Sequence, residues 1–213
     1  MTLWPPLYPA ILAVVGAGGT DLHVAARWIN VVLFGANLLL AAAFLLRGAR
    51  APAWMGWLAA AGMLIFTDLI TVHGWIWSEP LFIFLGLSSL TLLLEHLRTS
   101  DRAAWWGAAA LAVAAFMRRF VGAAFVATGA ASILLLRTSS SWKARLRDAI
   151  AFGLIGGAPM AAWLVRNRLV AGSLTDRTLA FYPLTVAHAR QALDTATSWI
   201  WPAGVGTDAA DWL

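Results

Sequence analysis

The chain has 213 residues, 61% of them hydrophobic and only 12% charged, with a mean hydropathy of +0.76, which excludes an ordinary soluble domain. Its formal net charge of +5 comes from basic residues in short clusters between apolar runs, a pattern of membrane topology rather than of a nucleic-acid-binding face. With no cysteine, it has no disulfide framework, no thiolate metal site and no cysteine nucleophile.

The composition predicts an all-α fold, a polytopic membrane helix bundle over residues 1–167 followed by a polar tail over 168–213. The N-terminal stretch Met1–Pro9 carries three prolines and no basic residue, so it does not read as a signal peptide. A short interfacial helix is expected at about 7–19, since that apolar run is too brief to cross some 30 Å of hydrocarbon. Spanning runs follow at about 24–46, 54–72, 78–97 and 148–167.

Residues 103–136 pose a choice between one helix and two. One helix would be roughly 50 Å long, about 20 Å more than the hydrocarbon, and would carry Arg118 and Arg119 at its centre. It would also put Arg98 and Arg137 on opposite sides of the membrane, against the tendency of basic loops to share one side. A break near Met117–Arg119 avoids both problems. The expected spans are therefore about 104–117 and 120–136, a pair that allows a discontinuous crossing, for about six crossings in all.

On that topology Arg47, Arg50, Arg98, Arg102, Arg137, Lys143, Arg145 and Arg147 face the cytoplasm. Glu79, Arg118, Arg119, Arg166, Asn167 and the tail from Arg168 onward share the opposite face. Glu79 lies at a helix mouth beside Pro80, where it either complements the helix dipole or serves a site. Arg118 and Arg119 interrupt an apolar run with no acid nearby in sequence. Arginine keeps its charge, so they either snorkel to lipid headgroups or form a fork for a phosphate.

Asp68, inside the second span, is expected in a structural ion pair ahead of a wet position near the interface, and His73 as an interfacial residue with its hydrogen bonds met, the alternative being a proton shuttle or metal ligand. The loop aspartates Asp21, Asp176, Asp194, Asp208 and Asp211 read as solvated. No spacing resembles a metal motif, no cofactor is implied, and Gly16-Ala17-Gly18-Gly19 lacks the pattern of a nucleotide loop.

Five segments occur in one order along the chain: Trp4-Pro5-Pro6-Leu7-Tyr8-Pro9, Ala25-Ala26-Arg27-Trp28-Ile29-Asn30, Trp77-Ser78-Glu79-Pro80-Leu81-Phe82, Arg119-Phe120-Val121-Gly122 and Trp163-Leu164-Val165-Arg166-Asn167. Together with Gly172–Arg177 and Trp199-Ile200-Trp201-Pro202, they resemble the bacterial GT-C glycosyltransferases of the mannosyltransferase and aminoarabinose-transferase type. The resemblance implies transfer, with inversion, of a sugar from a polyprenyl-phosphate donor to an acceptor on the non-cytoplasmic face of the inner membrane. It implies donor-phosphate contacts from Arg119, Arg118, Arg166, Asn167 and Arg177, with Glu79 in a supporting role. It also implies a chain that lacks the family's principal catalytic aspartate, expected before Met1, and its further helices after Leu213, as a fragment, a start-site error or a decayed copy. The other functional class in view is a non-catalytic membrane protein or a lipid-carrier or transporter component that binds an anionic lipid.

Overall fold

The computed structural model describes residues 5–48, 52–138, 140–175, 183 and 185–200, and all the regular structure among them is helical. Up to Asp176 the chain is one compact unit, whose described residues form eight α-helices: α1 Leu7–Gly16, α2 Leu22–Gly48, α3 Ala53–Ile65, α4 Thr67–Gly74, α5 Glu79–Thr99, α6 Arg102–Arg118, α7 Ala123–Leu136 and α8 Trp142–Ala171. The second unit, Arg177–Leu213, contains α9, Val186–Ile200, whose side chains from Val186 to Ala196 are exposed.

Among the described residues three helices are long and apolar enough to cross a bilayer: α2 through Leu22–Leu46, α5 and α8. The count rises to four if α3 and α4 form one broken span. Large apolar side chains cover the outside, among them Leu39, Trp57, Ile65 and Leu169, each at least 74% exposed. In water that surface would be untenable, whereas hydrocarbon is its natural solvent. The chain is a multi-pass membrane protein.

The run expected at 54–72 is not one straight span. Phe66 is extended, at φ −79° and ψ 102°, and α3 meets α4 at 63°. No proline causes the bend; Thr67 and Asp68 open a new helical turn there instead, with Asp68 complementing the start of α4. Asp68 is exposed and makes no ion pair among the described residues, contrary to the expectation of a structural pair.

Local sequence explains several helix ends. Asp21 accepts from the amides of His23 at 2.9 Å and Val24 at 3.0 Å, and these bonds, Val24's above all, hold its carboxyl below the usual carboxylate range. Asp101 caps α6 through Ala103 and Ala104, and Ser141 caps α8 through Ala144. Gly172 ends α8 in the left-handed conformation at φ +71°.

Residues 102–136 form two antiparallel helices. Arg102 at the start of α6 and Arg137 just past α7 both reach the carboxylate of Asp148, at 3.3 and 2.6 Å, so the chain has reversed between them. The reversal is made by extended Arg119, at φ −149° and ψ 143°, followed by a single 3-10 turn, Phe120–Gly122. Helix α6 is 17 residues and α7 is 14, each short for a straight crossing of roughly 20 residues.

Small residues let these helices close on one another. Ala108, Ala109, Ala112 and Ala115 are fully covered along α6, and Ser89 of α5 donates to the Ala108 carbonyl at 2.8 Å. Gly129 of α7 admits the buried ring of Phe152, and Gly156 of α8 admits Val126. Asp148 itself is buried at this end of the bundle between Arg102, Arg137 and Arg147.

Candidate functional site

At the other end of α6 the chain reversal gathers the chemistry. Helix α5 begins at Glu79 with Pro80 behind it, an arrangement suited to a first turn because the missing proline amide needs no partner there. The loop that delivers Glu79 is held from α2. Asn30 donates through Nδ2 to the carbonyls of Trp75 at 2.7 Å and Trp77 at 3.1 Å. Seven residues on, Asn37 donates to the Pro80 carbonyl at 3.1 Å and sits 3.0 Å from His73 Nε2. His73 Nδ1 lies 2.8 Å from the Leu69 carbonyl, so that nitrogen is the donor and Nε2 the acceptor for Asn37. Both ring nitrogens of His73 are thus satisfied.

These asparagines are buried, and a carbonyl that loses its donor there keeps its desolvation cost. Asn30→Ala is expected to lower stability by about 1–3 kcal/mol. Thermal unfolding in detergent checks it, and an unchanged midpoint would contradict the clamp.

Between this loop, α1 and the turn after α6 lies a cavity of about 520 Å³. Its charged lining is Glu79, Arg118 and Arg119, with Tyr8 beside them. Arg119 Nη1 donates to Glu79 Oε1, pairing residues forty positions apart. Arg118 is buried, at 7% exposure, and its guanidinium lies 5.1 Å from the Tyr8 ring centroid. It has no acidic partner among the described residues, and its Nε, like the Tyr8 hydroxyl, is buried with no hydrogen-bond partner. Two guanidiniums against one carboxylate leave one uncompensated positive charge in the described lining.

The remaining expected site residues lie elsewhere. Helices α6 and α8 run parallel, since Arg102 meets Asp148 and Trp105 meets Phe152, so the far part of α8 runs toward the Arg118 end. Arg166 stacks on Trp163 at 4.8 Å and donates to Asn167 Oδ1 at 3.4 Å. Buried Asn167 donates to the Leu174 carbonyl at 3.3 Å. Neither residue lines the cavity. Arg177, Asp176, Asp208 and Asp211 lie outside the described residues, as does Trp4.

Sequence reasoning passed over Tyr8, Asn30 and Asn37 as individual participants. Two asparagines seven residues apart inside an apolar run share one helix face, and that spacing was the available signal. Among the described residues no three His, Asp or Glu side chains converge as a metal site. No family model, curated protein or solved structure matches the chain.

Proposed function

We propose that this chain is the core of an integral-membrane glycosyltransferase that uses a polyprenyl-phosphate-linked sugar and works on the non-cytoplasmic face of a bacterial inner membrane. The observation that carries the reading is the cavity at the end of α6, where a buried arginine without an acidic partner adjoins a Glu79–Arg119 pair. Its volume falls within the usual range for ligand sites. In this reading α6 and α7 are two short crossings, giving about six.

The charge balance fits the chemistry. A polyprenyl-phosphate sugar is a phosphodiester with one negative charge, matching the one uncompensated positive charge of the described lining. In the transfer an acceptor hydroxyl oxygen bonds to the anomeric carbon, the bond from that carbon to phosphate oxygen breaks, and the hydroxyl proton passes to a base. The departing polyprenyl phosphate then carries a second charge. Arg118, desolvated and already in place, stabilises that developing charge, and Glu79 orients Arg119 for the phosphate. Arg166 and Asn167 are proposed as further donor contacts.

The test is equilibrium binding of polyprenyl phosphate to the full chain in phosphatidylcholine nanodiscs. Arg118→Ala and Arg119→Ala are each expected to weaken binding about 10- to 100-fold, the value of a charge-assisted hydrogen bond. Lys143→Ala, an exposed cation at the opposite end, is expected to leave it unchanged. Equal effects of all three would reduce the arginines to topological charges.

One observation favours a second reading, a membrane protein that binds an anionic lipid without chemistry. Glu79 is the sole carboxylate in the described lining, and it is engaged by Arg119. Binding of the lipid with no release of labelled sugar to any acceptor, in membranes carrying the full chain, would select that reading.

A further inference from the structure

The opposite end of the bundle holds a charge cluster of its own. Arg102 of α6, Arg137 just past α7 and Arg147 of α8 all reach the carboxylate of Asp148. One carboxylate balances one guanidinium. Arg137 meets it at the shortest distance, 2.6 Å, from a buried position. Arg102 and Arg147 are the surplus cations, and both are well exposed. The acid next to Arg102, Asp101, is taken up by the α6 amides of Ala103 and Ala104.

We infer that Arg102 and Arg147 form a headgroup site for an anionic phospholipid, with the phosphate between the two guanidiniums and the acyl chains lying along α6 and α8. Placement is the first reason. The two arginines come from different helices, yet each bonds the same carboxylate, Arg102 at 3.3 Å and Arg147 at 3.1 Å. Asp148 thereby holds them side by side. A guanidinium has five N–H donors, so those that Asp148 does not engage can take a phosphate through charge-assisted bonds.

The helix faces supply the second reason. On α8, Ile150 and Leu154 stand three and seven residues beyond Arg147 on one face, and both are exposed. On α6, exposed Trp106 stands four residues beyond Arg102, and indoles settle at the depth of lipid headgroups. Cations that give way within one turn to exposed apolar side chains match a molecule with an anionic head and hydrocarbon chains. A soluble anion would meet the cations alone. The inference is independent of the transferase reading, since Arg102 and Arg118 are about 24 Å apart along α6.

The experiment is native mass spectrometry of the full chain in detergent micelles, titrated with phosphatidylglycerol, with phosphatidylcholine of the same acyl chains, and with glycerol 3-phosphate. Phosphatidylglycerol is expected to bind about tenfold more tightly than phosphatidylcholine, the value of a charge-assisted hydrogen bond. Arg102→Gln and Arg147→Gln are each expected to remove most of that preference, and the double variant all of it. The buried Arg137–Asp148 pair stays intact in these variants. The double variant Arg102→Lys with Arg147→Lys, which keeps both charges opposite Asp148 but loses the planar forks, is expected to retain about a third of the preference. Lys143→Gln removes the same charge from the same end, from a side chain with no ion pair among the described residues, and is expected to leave binding within twofold of the wild type. Arg118→Ala is expected to leave it unchanged.

Four results would overturn the inference. Phosphatidylglycerol bound no more tightly than phosphatidylcholine would leave the two arginines as topological charges. An equal loss in Lys143→Gln would reduce the preference to net charge. Displacement of the lipid by an equal concentration of glycerol 3-phosphate would show an anion site with no part for the acyl chains. Loss of the preference in Arg118→Ala, with retention in the double glutamine variant, would place the phospholipid in the cavity at the other end of α6.

Discussion

Replacing Asp148 by alanine is expected to cost about 3–5 kcal/mol of stability, the largest loss from any single side chain described here. The carboxylate is 5% exposed and takes Arg137 at 2.6 Å, Arg102 at 3.3 Å and Arg147 at 3.1 Å. Arg102 and Arg147 are well exposed, at 53% and 69%, and can turn to water. Arg137 cannot, because its side chain is 9% exposed and its Nε already lacks a partner. Without Asp148 a full positive charge stays buried with nothing opposite it, and arginine does not escape by losing its proton. Thermal unfolding in detergent micelles, followed by circular dichroism, measures the loss. The double variant Asp148→Leu with Arg137→Met should recover most of it, since an apolar pair removes both desolvation costs. A wild-type midpoint for Asp148→Ala would show that the triple contact does not hold α6, α7 and α8 together.

A single methyl group at Gly122 is expected to cost about 2–3 kcal/mol and to weaken polyprenyl phosphate binding along with it. A Cβ there would stand 2.5 Å from the Phe116 amide nitrogen and 2.6 Å from the Ala115 carbonyl carbon and oxygen. Those are backbone atoms of α6, so no side chain can swing aside. Gly122 also closes the turn by donating to the Arg119 carbonyl at 2.8 Å. Pushing it away from α6 moves the two arginines relative to Glu79. Gly157→Ala is the control, since nothing lies within 4 Å of its added Cβ and a helical alanine is favoured over glycine. Gly122→Ala binding the lipid like the wild type would show that the arginines are placed by something other than this turn.

Much of the architecture is written in composition and in the placement of charge. The apolar runs alone indicate helices crossing a membrane, and the basic residues alone argue against one long helix through Arg118 and Arg119. The break at Phe66 left no such mark, because a kink without proline or glycine depends on local contacts rather than on a residue type. Asp68 misled for a related reason. A carboxylate in an apolar run needs either a partner or water, and only the folded chain shows that Asp68 is exposed with no ion pair among the described residues. Among the described residues the buried acid of this bundle is Asp148, which no pattern in the sequence singled out.

The site divides along the same line. Sequence by itself determined that Glu79, Arg118 and Arg119 lie at helix ends, because hydrophobic length and charge cost act locally and leave a local pattern. Only the tertiary structure decided that Arg119 takes Glu79 while Arg118 turns to Tyr8. Only it decided that Asn30 and Asn37 clamp the loop between them, and that Arg166 lies outside the cavity. Those outcomes depend on how antiparallel helices with alanine and glycine faces settle against one another. Close packing of that kind is a property of pairs of surfaces, and no single stretch of chain contains it.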